Sequence, residues 1–185
     1  MSICSAIVGV PKGCGDNNLG AIKRVLLGSF EDVTGTTVTS GGTPDTDGEV
    51  TAITRTVGTK FEEFTFPKDT SMFSQELVID AVADSHSWSQ TVEMGFRRID
   101  LRKRNAISLL VAGRRDLIAV AEDFNGDYWG LGFNQGLRVS ANSATTNNTR
   151  AAGQAMPVTL LSENERHMMY KVDADIVAGL LIAAV

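Results

Sequence analysis

Ile99-Asp100-Leu101-Arg102-Lys103-Arg104-Asn105-Ala106-Ile107-Ser108-Leu109-Leu110-Val111-Ala112-Gly113 is the one stretch of the chain that reads as a helix, and together with the apolar runs after it decides the fold. Asp100 is a natural N-cap, because its carboxylate can accept from the free N–H groups of the first turn. Gly113 suits the C′ position, where a left-handed residue ends a helix without a Cβ clash. Ala106, Ile107, Leu110 and Val111 recur at the spacing of one helical face. Arg102, Lys103 and Arg104 fall in the first two turns, where the helix dipole disfavours cations, so they read as a solvated face or as partners of nearby acids.

Beyond the helix, Leu117-Ile118-Ala119-Val120-Ala121-Glu122-Asp123 has strand character, and Tyr128-Trp129-Gly130-Leu131 comes after Phe124-Asn125-Gly126-Asp127. Asn-Gly between two apolar runs predicts a hairpin with a type I′ turn, in which both central residues take positive φ. A second turn, Asn134-Gln135-Gly136, leads into Leu137-Arg138-Val139-Ser140. A helix succeeded closely by three strands predicts a sheet packed on one helix.

The flanking sequence extends that sheet. Ile22 to Gly28, Glu49 to Val57 and Lys60 to Phe66 read as strands, the last two from β-branched content and from alternation of Phe64 and Phe66 with polar residues. Phe30 to Pro44 is rich in Thr, Ser and Gly, and the span Thr34 to Gly48 reads as a long loop. Ser74 to Ala81 and Trp88 to Phe96 pair as a long hairpin, with His86 exposed at its tip. In the second of these strands Trp88, Gln90, Val92, Met94 and Phe96 point one way, and Ser89, Thr91, Glu93 and Gly95 the other. Ala141 to Ala155 reads as a loop, mobile or ordered by a partner. Met156 to Leu161 is a strand whose Pro157 points to an edge position, Ser162 to Arg166 is a polar turn, and Met168 to Val172 is a further strand. The apolar terminus Ile176 to Val185 is too short to cross a membrane, which takes about 20 residues, and forms either a closing strand of the core or a contact with a neighbouring subunit. The fold class that results is mainly β: an antiparallel β-sandwich or barrel flanked by one α-helix (about residues 100–112), with extended arms and long loops. Residues 1–20 form an N-terminal arm and residues 21–185 a single domain.

The formal net charge of -5 argues against a general nucleic-acid-binding surface, since an acidic chain repels phosphate unless its bases are segregated. Cys4 and Cys14 lack metal-ligand spacing and lie far from His86 and His167, so they read as free thiols or a local disulfide. No secretory leader is visible ahead of Ile3 to Val10. Gly130-Leu131-Gly132 matches the first two glycines of a dinucleotide fingerprint but falls within a hairpin with no helix after it. Glu122, Asp123 and Asp127 cluster at the Asn-Gly turn without the spacing of a calcium loop, and Tyr128 and Trp129 read as packing residues. Neither histidine belongs to a recognisable catalytic motif. No catalytic residue, cofactor or metal is therefore expected, and the chain reads as a non-enzyme.

The hairpin Leu77 to Phe96, the basic helix Asp100 to Ala112 and the returning stretch Glu122-Asp123-Phe124-Asn125-Gly126-Asp127-Tyr128-Trp129-Gly130-Leu131-Gly132 together resemble bacteriophage tail-tube proteins and the related rings of the collar between portal and tail. The resemblance covers the layout from Gly20 to Val172 and is one of fold. It implies a homo-oligomeric ring whose subunits join edge to edge. The inner sheet would line a channel through which genomic DNA passes without sequence-specific binding. Ser89, Thr91 and Glu93 would suit such a lumen, being polar and mildly acidic. The implied partners are further copies of the chain and adjacent virion ring, portal or tail proteins, with no membrane. The implied location is the virion, after assembly in the bacterial host cytoplasm. Long loops and ends would then supply the contacts, giving Gly41, Gly42, Lys68, Asp69, Asn147, Asn148, Leu181 and Ile182 as interface residues. The competing reading is a monomeric β-domain that binds a small molecule or carbohydrate, with Trp88 or Trp129 as its platform.

Overall fold

The structure, a computed structural model, describes residues 20–40, 48–80, 85–113, 115–146 and 153–184. The strands are β1 (Ile22–Ser29), β2 (Val33–Val38), β3 (Glu49–Arg55), β4 (Glu62–Thr65), β5 (Met72–Asp80), β6 (Ser85–Arg97), β7 (Leu117–Asp123), β8 (Tyr128–Leu131), β9 (Arg138–Asn142), β10 (Ala155–Glu165) and β11 (Tyr170–Val172). Two α-helices accompany them, α1 (Leu101–Gly113) and α2 (Ala174–Leu180). The strands form a large sheet of order β2-β3-β11-β8-β7-β1-β4 and a small sheet of order β5-β6-β10-β9. The fold is thus mainly β, two sheets with helices, as the sequence pattern predicts.

The unbroken apolar run of β7 has a direct cause: its sheet is covered on both faces. Val25, Leu27, Ala119 and Ala121 pack between the sheets against Val92, Met94 and Phe96 of β6 and Val158 and Leu160 of β10. Leu26, Ile118 and Val120, the alternate residues, pack on the other face against Phe61, Val177 and Leu180. A strand buried on both sides needs no polar alternation. β6 has one buried face, and its inward residues are those the alternation identifies.

Several expectations are corrected. The apolar terminus is not a strand. Asp173 caps α2 by accepting from the Asp175 N–H at 3.0 Å, and Val177 and Leu180, three residues apart, are buried on one helical face. So the fold carries a second helix, laid on the outer face of the large sheet. Val33–Val38, read as loop, is a strand paired with β3, since Val and Thr favour a pleated backbone. Ser162 to Glu165, read as a turn, continues β10 through a bulge, with Asn164 at φ 61° and Ser162 and Glu165 both buried. β10 is an interior strand despite Pro157. The Pro157 carbonyl accepts from the Ser143 N–H at 3.3 Å, so its missing N–H faces the same, β9 side, where the ladder ends at Val158–Asn142.

Around α1 the cap at Asp100 holds, the Lys103 N–H donating to its carboxylate at 2.9 Å. Gly113, however, is the last helical residue and is not left-handed. Ile107 is buried and Leu110 packs on the core, but Val111, assigned to the same face, is exposed. At the Asn-Gly turn only Gly126 takes positive φ. There Asp123 does the organising, accepting from the N–H groups of Asn125 (2.8 Å) and Asp127 (3.0 Å), which makes a longer turn than the type I′ form. The three returning strands do not share one sheet. Gly132 and Gly136, both left-handed, carry the chain from β8 in the large sheet to β9 in the small one. His86 lies inside β6 opposite Ile79 and is exposed, and the hairpin connection falls outside the described residues. So do the arm with Cys4 and Cys14, and Gly41, Gly42, Asn147 and Asn148.

Candidate assembly surface

The small sheet has two unpaired edges, β5 and β9. Three antiparallel steps separate them, so the two edges run in opposite directions. A sheet edge presents a row of unmatched N–H and C=O groups, and such edges are normally blunted by charge, proline or a covering element. Neither edge carries a proline, and β9 carries one charge, on Arg138 at its end. Arg138 pairs with Asp116, which it holds below the usual carboxylate range through their hydrogen bonds.

The last part of β5 departs from alternation. Leu77, Val78 and Ile79 are consecutive and are exposed by 44%, 48% and 68%. Successive strand residues point to opposite faces, so this end of the β5–β6 hairpin is uncovered on both faces. The run of three apolar residues was the sequence signal for it, and the strand assignment alone passed it over. On the outward face of the small sheet, Glu76 stands opposite Ser89, Ser74 opposite Thr91, and Thr159 beside Glu93. That face is polar, with few charges.

The carboxylates at the Asn-Gly turn are each engaged by protein donors. Buried Glu122 accepts from Lys23 Nζ at 2.6 Å and from Arg24 Nε. Burial alone would raise the Glu122 pKa, but the hydrogen bonds and charges of Lys23 and Arg24 outweigh it and hold the group below its ordinary value. Arg24 also donates to Glu63 at 2.8 Å and Tyr128 Oη at 3.2 Å, and its own pKa is raised, first by Glu63. Asp127 pairs with Lys171 at 3.0 Å, while Asp123 closes the turn and accepts from Trp129 Nε1 at 3.3 Å. No group of three or more His, Cys, Asp or Glu suited to a metal occurs among the described residues. Trp129 is half-buried, its ring 6.4 Å from that of Phe73, and no other ring contact of it or of Trp88 occurs among the described residues.

Of the interface residues named from sequence, Lys68 and Asp69 are exposed in the turn between β4 and β5, Asp69 at φ 60°. Leu181 packs against the cluster beneath α2, whereas Ile182 is exposed. No hydrogen bond or ion pair among the described residues joins the first pair to the second. No helix among the described residues is long and apolar enough to cross a membrane. Comparisons with protein-family models, with curated proteins and with solved structures find no match for this chain.

Proposed function

We propose that this protein is a structural virion subunit of a bacteriophage. It forms a homo-oligomeric ring, of the tail tube or of the portal–tail collar, that lines the channel for DNA. The observation that carries this reading is the pair of free edges on one sheet. Because β5 and β9 run in opposite directions, copies set side by side in the same orientation meet as one more antiparallel pair. Such a head-to-tail contact repeats and closes into a ring when the rotation per copy divides the circle. Joined in this way, the small sheets make one continuous inner wall. Its exposed face, with Ser74, Glu76, Thr91, Glu93 and Thr159, offers a polyanion few cations to stick to. The order of elements, which resembles that of tail-tube and collar proteins, supplies the biological setting.

The test is light scattering with size-exclusion chromatography, then negative-stain imaging. Rings with a central hole are expected, stacked for a tube subunit and single for a collar subunit. A protein that stays monomeric up to millimolar concentration would overturn the proposal.

A further inference from the structure

We infer that in this ring the free end of the β5–β6 hairpin of one copy seats on α1 of the next, an acidic apolar knob on a basic apolar stripe. The inference rests on the proposed ring and adds to it a second contact, between side chains rather than backbones.

The first half of the match is α1. Ile107 and Leu110 face the core, yet Leu101 and Leu109 are exposed by 68% and 74%, and Val111 by 46%. At about 100° per residue, Leu101 and Leu109 lie close together on the outward side, with Arg102 and Arg104 flanking them. The helix is therefore apolar on two sides, and only one has a partner within the chain. Its charge is equally one-sided. Seven of the 17 basic residues fall between positions 97 and 115, where Asp100 is the only acid. Lys23, Arg24, Lys60, Lys103, Arg138 and Lys171 each pair with a carboxylate. Arg97, Arg98, Arg102, Arg104 and Arg115 are all exposed and have no side-chain hydrogen bond or ion pair among the described residues. A protein of net charge -5 that leaves its free arginines in one segment has segregated them. Arginine beside exposed leucine is the composition of a protein interface, because a phosphate backbone gains nothing from the apolar groups between the charges.

The second half is the hairpin. Between Asp69 and Phe96 the chain has no Lys or Arg but carries Asp69, Glu76, Asp80, Asp84 and Glu93. Glu76 is exposed without an ion pair among the described residues, next to the uncovered Leu77, Val78 and Ile79. This surface is the complement of α1 in both charge and hydrophobicity.

The topology brings the two halves together between copies. Asp116, just after α1, pairs with Arg138, the first residue of β9, and Leu117 exchanges backbone hydrogen bonds with Leu137 (2.9 and 2.7 Å). The C-terminal end of α1 is therefore tied to the start of β9. Arg138 stands opposite Leu161, and β10 runs on from there to Glu165, opposite Trp88 near the hairpin's free end. The start of β9 and the free end of the hairpin thus share one end of the small sheet. Setting β5 of one copy against β9 of another brings Leu77–Ile79 alongside Leu109, Val111 and Arg115.

Charge reversal on the full-length protein tests this. Arg104→Glu with Arg115→Glu, Glu76→Lys, and the combination of all three are compared with wild type by sedimentation velocity, with circular dichroism to confirm folding. Ile79→Ser, at an exposed position, serves as a neutral second probe. Each separate change is expected to raise the concentration for half-assembly about tenfold, as loss of complementary interface charge does, and the combination to recover most of that. Wild-type rings with variants that assemble unchanged would overturn the hairpin–helix contact and leave the ring standing. Separate losses without recovery in the combination would also overturn it. A wild type that never assembles would remove the ring itself, and the contact with it.

Discussion

Arg55 on β3 donates from Nη1 to the carbonyl oxygen of Leu180, the last residue of α2, at 3.0 Å. The same guanidinium reaches the carbonyls of Thr59 (3.1 Å), Gly179 (2.9 Å) and Ile182 (3.2 Å). The last carbonyls of a helix have no partner within it and carry the negative end of its dipole, so a fixed cation there satisfies both. Arg55 thereby clamps the C-terminal segment to the large sheet. Arg55→Ala should lower stability by about 2 kcal/mol, the range for hydrogen bonds to a charged group, and Arg55→Lys should recover only part of it because one ammonium cannot span four acceptors. Chemical denaturation measures the loss, and amide exchange should show protection falling first in residues 174–184.

Glu165 is expected to be among the least replaceable polar residues. It is 1% exposed, and its carboxylate accepts from the N–H groups of Asn134 and Gln135 (both 3.0 Å) and from Ser162 Oγ (2.7 Å). It fixes the turn that carries the chain from one sheet to the other. Glu165→Ala leaves buried donors unmatched and should cost about 3 kcal/mol or more, read as a lower urea midpoint. Glu165→Gln should cost less but remain destabilising, because its amide NH2 faces a donor.

Acid should weaken the fold partly through Glu122. Its folded pKa lies below the ordinary value of 4.5 because Lys23 and Arg24 outweigh burial. A depressed carboxylate pKa contributes stability that is complete above the unfolded value and is lost as pH falls through the folded one. The wild-type urea midpoint should therefore drop as pH falls below 4.5, and Glu122→Gln, less stable at neutral pH, should show a shallower drop over that window. Equal slopes for the two proteins would rule this account out.

Gly95 is required by a close approach. A Cβ there would lie 2.1 Å from the Thr70 carbonyl oxygen, a backbone atom that cannot swing aside. The turn before β5 is bound to β6 at this point, the Gly95 N–H donating to Ser71 Oγ at 3.0 Å. Gly95→Ala should destabilise by about 2 kcal/mol through overpacking, seen as a lower melting temperature.

Much of the fold was legible along the chain because it follows from local periodicity. The alternation in Trp88 to Phe96 identified the buried face of β6, Asp100 identified the start of α1, and the turn glycines bounded β8. What misled was context. Ile176 to Leu181 is apolar enough for a buried strand, and only the cap at Asp173 and the uncovered outer face of the large sheet make it a helix. Ser162 to Glu165 looked like a turn because buried polar residues are rare, and here they serve the crossing at Asn134 and Gln135. The exposure of Leu77–Ile79 and the isolation of the arginines around α1 were not legible, since a strand or helix pattern says which faces differ but not what covers them.

By itself the amino-acid sequence determined most of the strands, the first helix and the mainly β class, because period and capping act within a few residues. Only the tertiary structure decided which strands are neighbours, that β9 crosses to the second sheet, and which edges and apolar faces stay open. Those depend on packing between segments far apart in the chain, where the free energy of burying a whole face outweighs any single residue's preference.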